Sequence, residues 1–364
     1  MTTGTANGPL VGLKAVEFQG IGPGPHVAMM LADMGAEVVR IEREGYRPMN
    51  PVVERGRHRL ALDLKSDGGQ RRCLEALQTA DVLIEGFRPG VMERLGLGPN
   101  EVLAANPRII YARMTGWGQD GPLAKAAGHD LNYIAITGAL DSIGQRGELP
   151  VPPQNLVGDF GGGSLYCAMG ILAALYERQT SGKGQVVDAA IVDGVTSLMS
   201  FFHGQPQGAI RTVERGKGLL GGAAHFYRCY RCKDGREISV GAIEPQFYAE
   251  LLERIDAPAS LRDGQLDPAN WDTYADRLAE LFATKTQAEW CDLLEGTDAC
   301  FAPVVPLGEA KEHPHLKARE NFVEQDGLWH TAPAPRFSRT PPKIRPSAQD
   351  GAEIVANWER ERMR

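Results

Sequence analysis

Two short segments of the sequence combine ionisable side chains with glycine, as a site that handles protons or charged groups would. Gly128-His129-Asp130 places an imidazole beside a carboxylate, and Gly158-Asp159 shortly precedes Gly161-Gly162-Gly163. Glycine lets the backbone approach a ligand closely, and histidine and aspartate commonly transfer protons in enzymes. Asp159 could also be the N-cap of the apolar helix that follows, although a cap does not require three consecutive glycines. Spacing alone does not decide between these readings.

Basic side chains recur at or just after the ends of predicted strands. They are Arg40, Lys65, Arg88 and Arg94. In an open α/β sheet, ligands bind at the carboxyl ends of the strands, and arginine and lysine suit phosphate groups. Each of the four could instead be a solvated surface residue. Glu244, which precedes Pro245 at a predicted helix start, joins the candidates because glutamate is a mediocre cap there.

Two motifs suggest a cofactor but are incomplete. Gly20-x-Gly22-x-Gly24 resembles a dinucleotide-binding turn, yet Pro25 occupies the place of its third glycine. Pro23 and Pro25 also remove backbone donors that a pyrophosphate would need. Cys229-x-x-Cys232 is half of a zinc site without a second half. We therefore expect a tight strand-to-helix turn, buried or half-buried cysteines and no metal.

Composition narrows the class of protein. The chain has 364 residues, of which 43% are hydrophobic and 23% charged, enough for one large domain or two. A net charge of -7 gives no broad basic field and argues against a nucleic-acid partner. No apolar run is long enough to cross a membrane, and the first residues lack the pattern of a signal peptide. Because the six cysteines are scattered, we expect a cytoplasmic protein.

Apolar runs alternate with helical patterns through the first half of the chain. Strands are predicted at 14–18, 37–41, 60–64, 80–85 and 108–113, with helices between them. The alternation predicts an α/β fold with a mostly parallel, doubly wound sheet. The run 165–176 is apolar nearly all round and predicts a helix buried inside this domain, and 188–199 predicts another helix.

The second half has the pattern of a smaller α/β domain. Strands at 227–233 and 237–242 flank a turn at Asp234-Gly235, and a later helix opens with a capping box from Thr286 to Glu289. We divide the chain into a large domain, a linker, a small domain and a C-terminal segment whose prolines favour extended chain. The predicted ranges are 1–190, 191–224, 225–325 and 326–364.

Longer segments resemble the α-methylacyl-coenzyme A racemases, nearest the bacterial enzymes, within the superfamily of family III coenzyme A transferases. These segments are 20–26, 84–98, 112–119, 128–130, 157–164, 181–189 and 240–247, and the resemblance runs from about residue 10 to 340. Transferases of that superfamily use the aspartate matching Asp159 as a nucleophile and lack the histidine matching His129. They also carry four glycines where this chain has Gly221-Gly222-Ala223-Ala224. The resemblance therefore favours a racemase.

The resemblance also implies roles for the candidate residues. His129 and Asp159 would be the two acid/base groups, the partner's Glu244 would orient His129, and Asp130 would lie near the substrate. Coenzyme A would be held by Arg40, Lys65, Arg88, Arg94 and Tyr133. The family fold implies an interlocked homodimer, with each active site between the large domain of one chain and the small domain of the other. The C-terminal segment would return to the large domain.

These roles predict racemisation of 2-methylacyl-CoA thioesters by 1,1-proton transfer through an enolate, without a metal or redox cofactor. We expect backbone N–H groups at a helix start near Gly161–Gly163 to hold the enolate oxygen. Three alternatives remain open. They are a coenzyme A transferase with Asp159 as nucleophile, an oxidoreductase that binds a nicotinamide nucleotide, and a non-catalytic coenzyme A-binding protein.

Overall fold

The chain divides into two compact units, and neither is a single continuous stretch. The structure is a computed structural model, which describes residues 7–47, 49–204, 212–346 and 350–363. The first unit comprises 1–137, 153–198 and 319–364, and the second comprises 138–152 and 199–318. Two stretches thus lie across the predicted boundaries. Residues 138–152, predicted within the large domain, belong with the second unit, and 319–325, predicted within the small domain, belong with the first.

The first unit is built on a parallel sheet of six strands in the order β3-β2-β1-β4-β5-β6. The strands are β1 Lys14–Phe18, β2 Glu37–Glu42, β3 Arg57–Ala61, β4 Val82–Glu85, β5 Ile110–Thr115 and β6 Gln185–Ala190. The order reverses direction at the neighbours β1 and β4, which pair in parallel. The predicted α/β fold with a parallel, doubly wound sheet is confirmed.

Helices connect these strands and cover the sheet. They are α1 Pro23–Asp33, α2 Asp67–Thr79, α3 Val91–Arg94, α4 Pro99–Ala105, α5 Asp130–Ala135, α7 Tyr166–Ser181, α8 Ile191–Leu198 and α14 Gly351–Arg362. Side chains alternate along a strand, so Val16 and Phe18 of β1 pack in a core with α2, α4 and α14. Burial of both sheet faces explains the continuous apolar strand sequences.

The strand β6 was missed by sequence reasoning, which assigned a helix to 188–199. Gly184 forms the entry to this strand, because its N–H donates to the carbonyl of Pro107 at 2.8 Å. A side chain at Gly184 would approach the carbonyl oxygen of Ile109 to 2.0 Å. The close approach aligns Gln185 with Ile110 in a parallel ladder, and the helix begins only at Ile191. The prediction was wrong because the short ladder overrides the helical pattern.

The expectation that residues 165–176 are buried all round is also wrong for the single chain. One helical run extends from Leu156 to Ser181 and is long and apolar enough, by length and composition only, to cross a membrane. Its inner face packs against α1, β5 and β6. Its outer face exposes large apolar side chains, among them Met169 at 59% and Tyr176 at 76%. An exposed apolar face of this kind is typical of surfaces that contact another protein or a membrane.

The second unit contains an antiparallel sheet in the order β7-β8-β9. Its strands are β7 Tyr227–Arg231, β8 Glu237–Gly241 and β9 Phe301–Pro303, and its helices are α6 Ala139–Ser142, α9 Ser200–His203, α10 Pro245–Arg254, α11 Trp271–Phe282, α12 Gln287–Leu294 and α13 Pro314–Ala318. A separate core of aromatic and aliphatic side chains, including Phe226, Phe282 and Trp290, lies between this sheet and the helices. The capping box of Thr286 and Glu289 forms as predicted.

The C-terminal segment completes the first unit. A hairpin of β10 Phe322–Gln325 and β11 Leu328–Thr331 precedes α14. On α14, Val355 is fully buried and Trp358 is 1% exposed among the core residues of the sheet. The indole N–H of Trp358 donates to Glu37 at the start of β2. The last helix thus fills a face of the sheet that α2 and α4 leave uncovered.

Candidate active site

A cavity of about 630 Å³ opens where the strand order reverses. The loops after β1, β4 and β5 line it, from Gly20–Pro25, Gly86–Pro89 and Gly116–Trp117. Connections leave β1 and β4 toward opposite sides of the sheet, and a crevice therefore remains between them. His129 and Asp159 both lie on the lining of this cavity. The structure thus joins two candidates that lie 30 positions apart in the sequence.

His129 is held by the start of α5. Its backbone N–H donates to Asn132 Oδ1 at 3.1 Å, and its carbonyl accepts from the N–H of Asn132 at 2.8 Å. The backbone is extended at His129, and the helix begins at Asp130. The imidazole is exposed, so its position is set by the backbone rather than by burial.

Asp159 lies in a π-helical segment, Leu156–Leu165, that continues into α7. Its carboxylate receives the side-chain amide of Asn155 at 3.4 Å. Burial raises the pKa of Asp159. The side chain of Asn155 and the nearby His129 lower this pKa, and the Asp130 carboxylate raises it further. The alternative that Asp159 is merely a helix cap is excluded, because the helix begins three residues earlier. π-Helical turns of this kind are often found at functional sites.

The glycine-rich turn after β1 packs against the Asp159 carboxylate. Gly22 has φ 65°, and a β-carbon there would lie 2.8 Å from Asp159 Oδ2. The turn therefore needs glycine for its backbone and for the space that the carboxylate occupies. A carboxylate in that position would repel a pyrophosphate, and Pro23 stands at the first helical position. The sheet order matches that of dinucleotide-binding domains, but this turn does not suit a dinucleotide.

Asp130 links the two backbone segments that carry His129 and Asp159. Its Oδ2 accepts the backbone N–H of Asp159 at 2.6 Å and also that of Gly158. A β-carbon at Gly158 would lie 2.3 Å from the same oxygen, so only glycine permits this contact. Burial raises the pKa of Asp130, and the two N–H groups oppose that rise. Asp130 is 8% exposed and is a positioning residue, which ties the start of α5 to the segment of Asp159.

Tyr133 fixes the loop that precedes His129. Its hydroxyl donates to the carbonyl of Gly128, and its ring meets the indole of Trp117 edge-on at 4.8 Å. The ring occupies the space that a β-carbon at Gly116 would need, at 2.0 Å. Burial raises the pKa of Tyr133 and nearby Asp159 adds to the rise. Tyr133 lines the cavity, as its predicted role requires.

The predicted cations separate into two groups. Arg88 lines the 630 Å³ cavity, and Lys65 lines an adjoining cavity of about 750 Å³. Phe18, Gln19 and Phe87 belong to both linings, so the two cavities are neighbours. Arg88 and Lys65 could therefore contact one elongated ligand.

Arg94 and Arg40 do not join that group. Arg94 is exposed on α3, outside both linings. Arg40 is 2% exposed and is bound by Glu42 and Glu54 at 3.1 and 2.7 Å. Because side chains alternate along β2, Arg40 points to the face opposite Ile41. Their proposed contacts with coenzyme A stay predictions.

Sequence reasoning missed Arg43, which lines the 750 Å³ cavity together with Lys65. The residue follows the end of β2, and its N–H donates to Gln19 Oε1 at 2.7 Å. The available signal was its place just after the strand, where ligands bind in open sheets. Arg40, three positions earlier, lies inside the strand.

Glu244 lies in the second unit, at the N-cap of α10. It is exposed, and its carbonyl accepts the N–H of Tyr248 at 3.0 Å. The expected contact with the partner's His129 stays a prediction.

The expected helix start near Gly161–Gly163 is wrong. The helix begins at Leu156, so these glycines lie within it, and the N–H of Phe160 already donates to Asn155 at 3.2 Å. Glycine instead serves close packing, since a β-carbon at Gly162 would meet Val195 at 2.5 Å. The helix that starts at the cavity beside His129 is α5. The N–H of Asn132 already donates to His129, so within this helix the N–H groups of Asp130 and Leu131 are the first-turn donors without a partner.

Comparison with known proteins gives one consistent family. Residues 10–349 match the CoA-transferase family III. The chain is 47% identical over 334 residues to the α-methylacyl-CoA racemase of Mus musculus, covering 91% of this chain and 87% of that protein. It is 44% identical over 342 residues to the same enzyme of Homo sapiens, covering 91% and 90%. A CAIB/BAIF family protein from Brucella suis shares the fold, with TM-score 0.83 at 24% identity, covering 97% of this chain and 100% of that one.

Proposed function

The chain belongs to CoA-transferase family III, and from that premise we propose that it is a racemase of 2-methylacyl-CoA thioesters. One observation carries the proposal. His129 and Asp159 line the same cavity, at the point of the sheet where α/β proteins bind their ligands. Mouse and human relatives named as α-methylacyl-CoA racemase support the isomerase class over a transferase.

The proposed reaction moves one proton off and another onto the carbon beside the thioester carbonyl. One group, His129 or the Asp159 carboxylate, removes the α-proton, and the electron pair of the C–H bond forms an enolate. The other group, in its protonated form, delivers a proton to the opposite face. The raised pKa of Asp159, which burial causes, makes its carboxylate a stronger base than an exposed aspartate. The substrate and product differ only in configuration, so the steps need no oxidant and no acceptor acid.

The developing negative charge needs donors near the α-carbon. We propose that the enolate oxygen binds at the start of α5, at the N–H groups of Asp130 and Leu131, because the N–H of Asn132 already donates to His129. Preorganised backbone donors stabilise an oxyanion without reorganisation at the moment of reaction. Asp130 serves this arrangement indirectly, because it fixes the start of α5 against the backbone of Asp159.

Coenzyme A would occupy the neighbouring 630 and 750 Å³ cavities. Arg88, Arg43 and Lys65 supply three positive charges along the two linings, which suits a ligand that carries several phosphates. Phe18 and Phe87, whose rings meet edge-on at 5.7 Å, stand between the cavities and offer apolar contact to the middle of the ligand.

We also propose that the active form is a homodimer, with the exposed apolar face of α7 in the interface. Leu165, Met169, Leu172 and Tyr176 form one stripe along the outer side of that helical run. A second copy of the chain, rather than lipid, is the expected partner because the family resemblance implies an interlocked dimer. The partner's Glu244 would then orient His129, as a carboxylate on the far nitrogen of an imidazole does.

The decisive experiment is incubation of the purified protein with one epimer of a 2-methylacyl-CoA in deuterated water. We expect loss of optical purity, with deuterium entering the α-carbon and without any added cofactor. A reaction that occurs only when a free acceptor acid is present, with no deuterium uptake, would instead identify a transferase that acylates Asp159. Binding of coenzyme A with neither reaction would identify a non-catalytic binding protein.

A further inference from the structure

A third cavity in the first unit, of about 210 Å³, is lined by four arginines. We call it the arginine cavity, and its basic side chains are Arg40, Arg55, Arg59, Arg345 and His330. They come from β2, from the residues around β3 and from the C-terminal segment. No described residue lines both this cavity and either of the cavities assigned to coenzyme A. The arginine cavity is therefore a separate feature.

Several buried polar atoms of this cavity have no hydrogen-bond partner among the described residues. The Nε and Nη2 groups of Arg55 donate hydrogen bonds to the carboxylate of Asp33 at 2.9 and 2.5 Å. Its buried Nη1 has no partner among the described residues. Within the same described part, Arg345 Nη2 and His330 Nδ1 are also buried without a partner. Arg55 is 3% and His330 6% exposed, so bulk water does not satisfy them. Native proteins rarely leave buried polar atoms unpaired, and such atoms point to a missing partner.

Some arginines around the cavity form ion pairs with carboxylates, and one forms none with any described residue. Glu42 binds both Arg40 and Arg59, and Glu54 also binds Arg40. Arg345, by contrast, makes no ion pair with any residue in the described ranges. The remaining carboxylate on the lining, Asp326, is exposed at the turn between β10 and β11. The unpaired positive charge is thus at Arg345, whereas the charge of Arg55 is balanced by Asp33 and only its Nη1 lacks a partner among the described residues.

From these observations we infer that the arginine cavity binds a single tetrahedral oxyanion, inorganic phosphate or sulfate. Pockets for organic ligands usually measure about 300–1,000 Å³, and the arginine cavity is smaller than that. It has space for one such anion with a few waters. Guanidinium groups match the oxygens of such an anion in pairs. The anion would join Arg55, near α1, to Arg345 and His330 of the C-terminal segment. It would thereby fasten that segment to the first unit.

The geometry of the docking agrees with this role. The N–H of Lys343 donates to the carbonyl of Asp33 at 3.1 Å, two residues before Arg345. A β-carbon at Gly56 would lie 3.6 Å from the β-carbon of Arg345, so the backbone of the segment passes close to Gly56. The segment is therefore already in contact where the anion would add its bonds. Occupancy should change stability rather than the chemistry at His129.

The test compares anions on the full chain. Inorganic phosphate and, separately, sulfate are titrated against sodium chloride of equal ionic strength, with the melting temperature and calorimetric binding as readouts. Saturation should raise the melting temperature by on the order of a few degrees, while chloride should not. In Arg345→Met the dissociation constant should rise roughly tenfold or more. His330→Phe should weaken binding as well, and provides a second test if Arg345→Met folds poorly.

Two controls separate this site from other sources of the effect. Lys343→Met removes an exposed charge from the same segment and should bind the anion like the wild type. Lys65→Met should also retain the shift, because Lys65 belongs to the proposed coenzyme A site. If Lys65→Met abolishes the shift, or if coenzyme A displaces the anion, the phosphate binds elsewhere and the inference fails. Equal shifts in Arg345→Met and wild type would also overturn it. None of these results depends on racemase activity.

Discussion

Asp130 shows how one buried side chain can organise a site although it does not line the cavity itself. Its carboxylate binds the backbone N–H groups of Gly158 and Asp159, and it directly follows His129 in sequence. Any shift of Asp130 would move both acid/base candidates at once. Burying this carboxylate raises its pKa and costs free energy of folding. Its hydrogen bonds to the two N–H groups explain why a carboxylate is buried at this place.

The two acid/base groups should be separable by isotope exchange. Racemisation should fall by on the order of 10²–10⁴-fold in His129→Ala and in Asp159→Ala, since each turnover needs both groups. A single remaining base can still remove and return a proton on its own face. In His129→Ala one epimer should take up solvent deuterium with retained configuration and the other should stay inert, with the mirror pattern in Asp159→Ala. Nuclear magnetic resonance of each epimer measures this. Equal exchange of both epimers in His129→Ala would contradict the two-base mechanism.

The predicted cations can be ranked by their effect on coenzyme A binding. Arg88→Met and Lys65→Met should each weaken binding by roughly 1–3 kcal/mol, because each removes a charge from a cavity lining. Arg94→Met tests the sequence-based prediction for a residue that the structure leaves outside the linings. Arg71→Met, on the exposed side of α2, is the matched control. Calorimetry gives the affinities. If both Arg88→Met and Lys65→Met bind coenzyme A with the affinity of the wild type, the two cavities are not the coenzyme A site.

At the scale of the element, α7 combines two environments that its sequence does not distinguish. The side toward the sheet is buried, and the outer side carries Met169, Leu172 and Tyr176, which continue a stripe that starts at Leu165 at the end of the π-helical segment. These positions recur at intervals of three and four residues, so they share one face of the helix. The stripe is the reason to expect a subunit contact at this helix.

A charge on that stripe should dissociate the dimer. Met169→Glu would place a carboxylate in the centre of the apolar face, and we expect the dissociation constant of the dimer to rise roughly 100-fold or more. Racemase activity should fall with dimer content if the active site is shared. Sedimentation velocity measures the assembly, and Ala104→Glu on the exposed side of α4 is the control for added charge. A wild-type protein that is monomeric, or an unchanged Met169→Glu dimer, would contradict the proposed interface.

At the scale of the whole molecule, each of the two units has its own hydrophobic core. The core of the second unit contains His225, which is fully buried, and its Nε2 donates to Tyr248 at 2.9 Å. The Tyr248 hydroxyl in turn donates to the carbonyl of Leu261 at 2.8 Å. Burial, with the nearby charge of Arg228, lowers the pKa of His225 from 6.5 to about 4.

This histidine should make the second unit sensitive to acid. The unfolded chain binds the proton at higher pH than the folded chain, so stability is complete above pH 6.5 and declines as the pH falls toward 4. The loss from this group should approach about 3 kcal/mol. His225→Gln should be less stable at neutral pH but show a flatter decline between these values. Urea unfolding at several pH values measures this, with exposed His203→Gln as the control. An unchanged pH slope in His225→Gln would show that other groups dominate.

The local sequence determined much of this protein. Apolar runs predicted four of the six strands of the parallel sheet, because a strand buried on both faces is apolar throughout, and they located only the end of the edge strand β3, which is mostly basic. The turn after β1 was identified from its glycines and prolines, which restrict the backbone directly. His129 and Asp159 were identified as candidates from their glycine neighbours, and the family resemblance supplied their roles.

Tertiary structure decided the features that depend on residues far apart in the chain. The burial of Arg40, the place of Arg43 on a cavity lining, the strand β6 and the exposed face of α7 all follow from which neighbour each residue packs against. The site itself is of this kind, since Asp159 is adjacent to Gly22 and Asp130 only after the sheet has formed. A sequence records which side chains are apolar, charged or small. Only the packed sheet determines which of them face the same cavity.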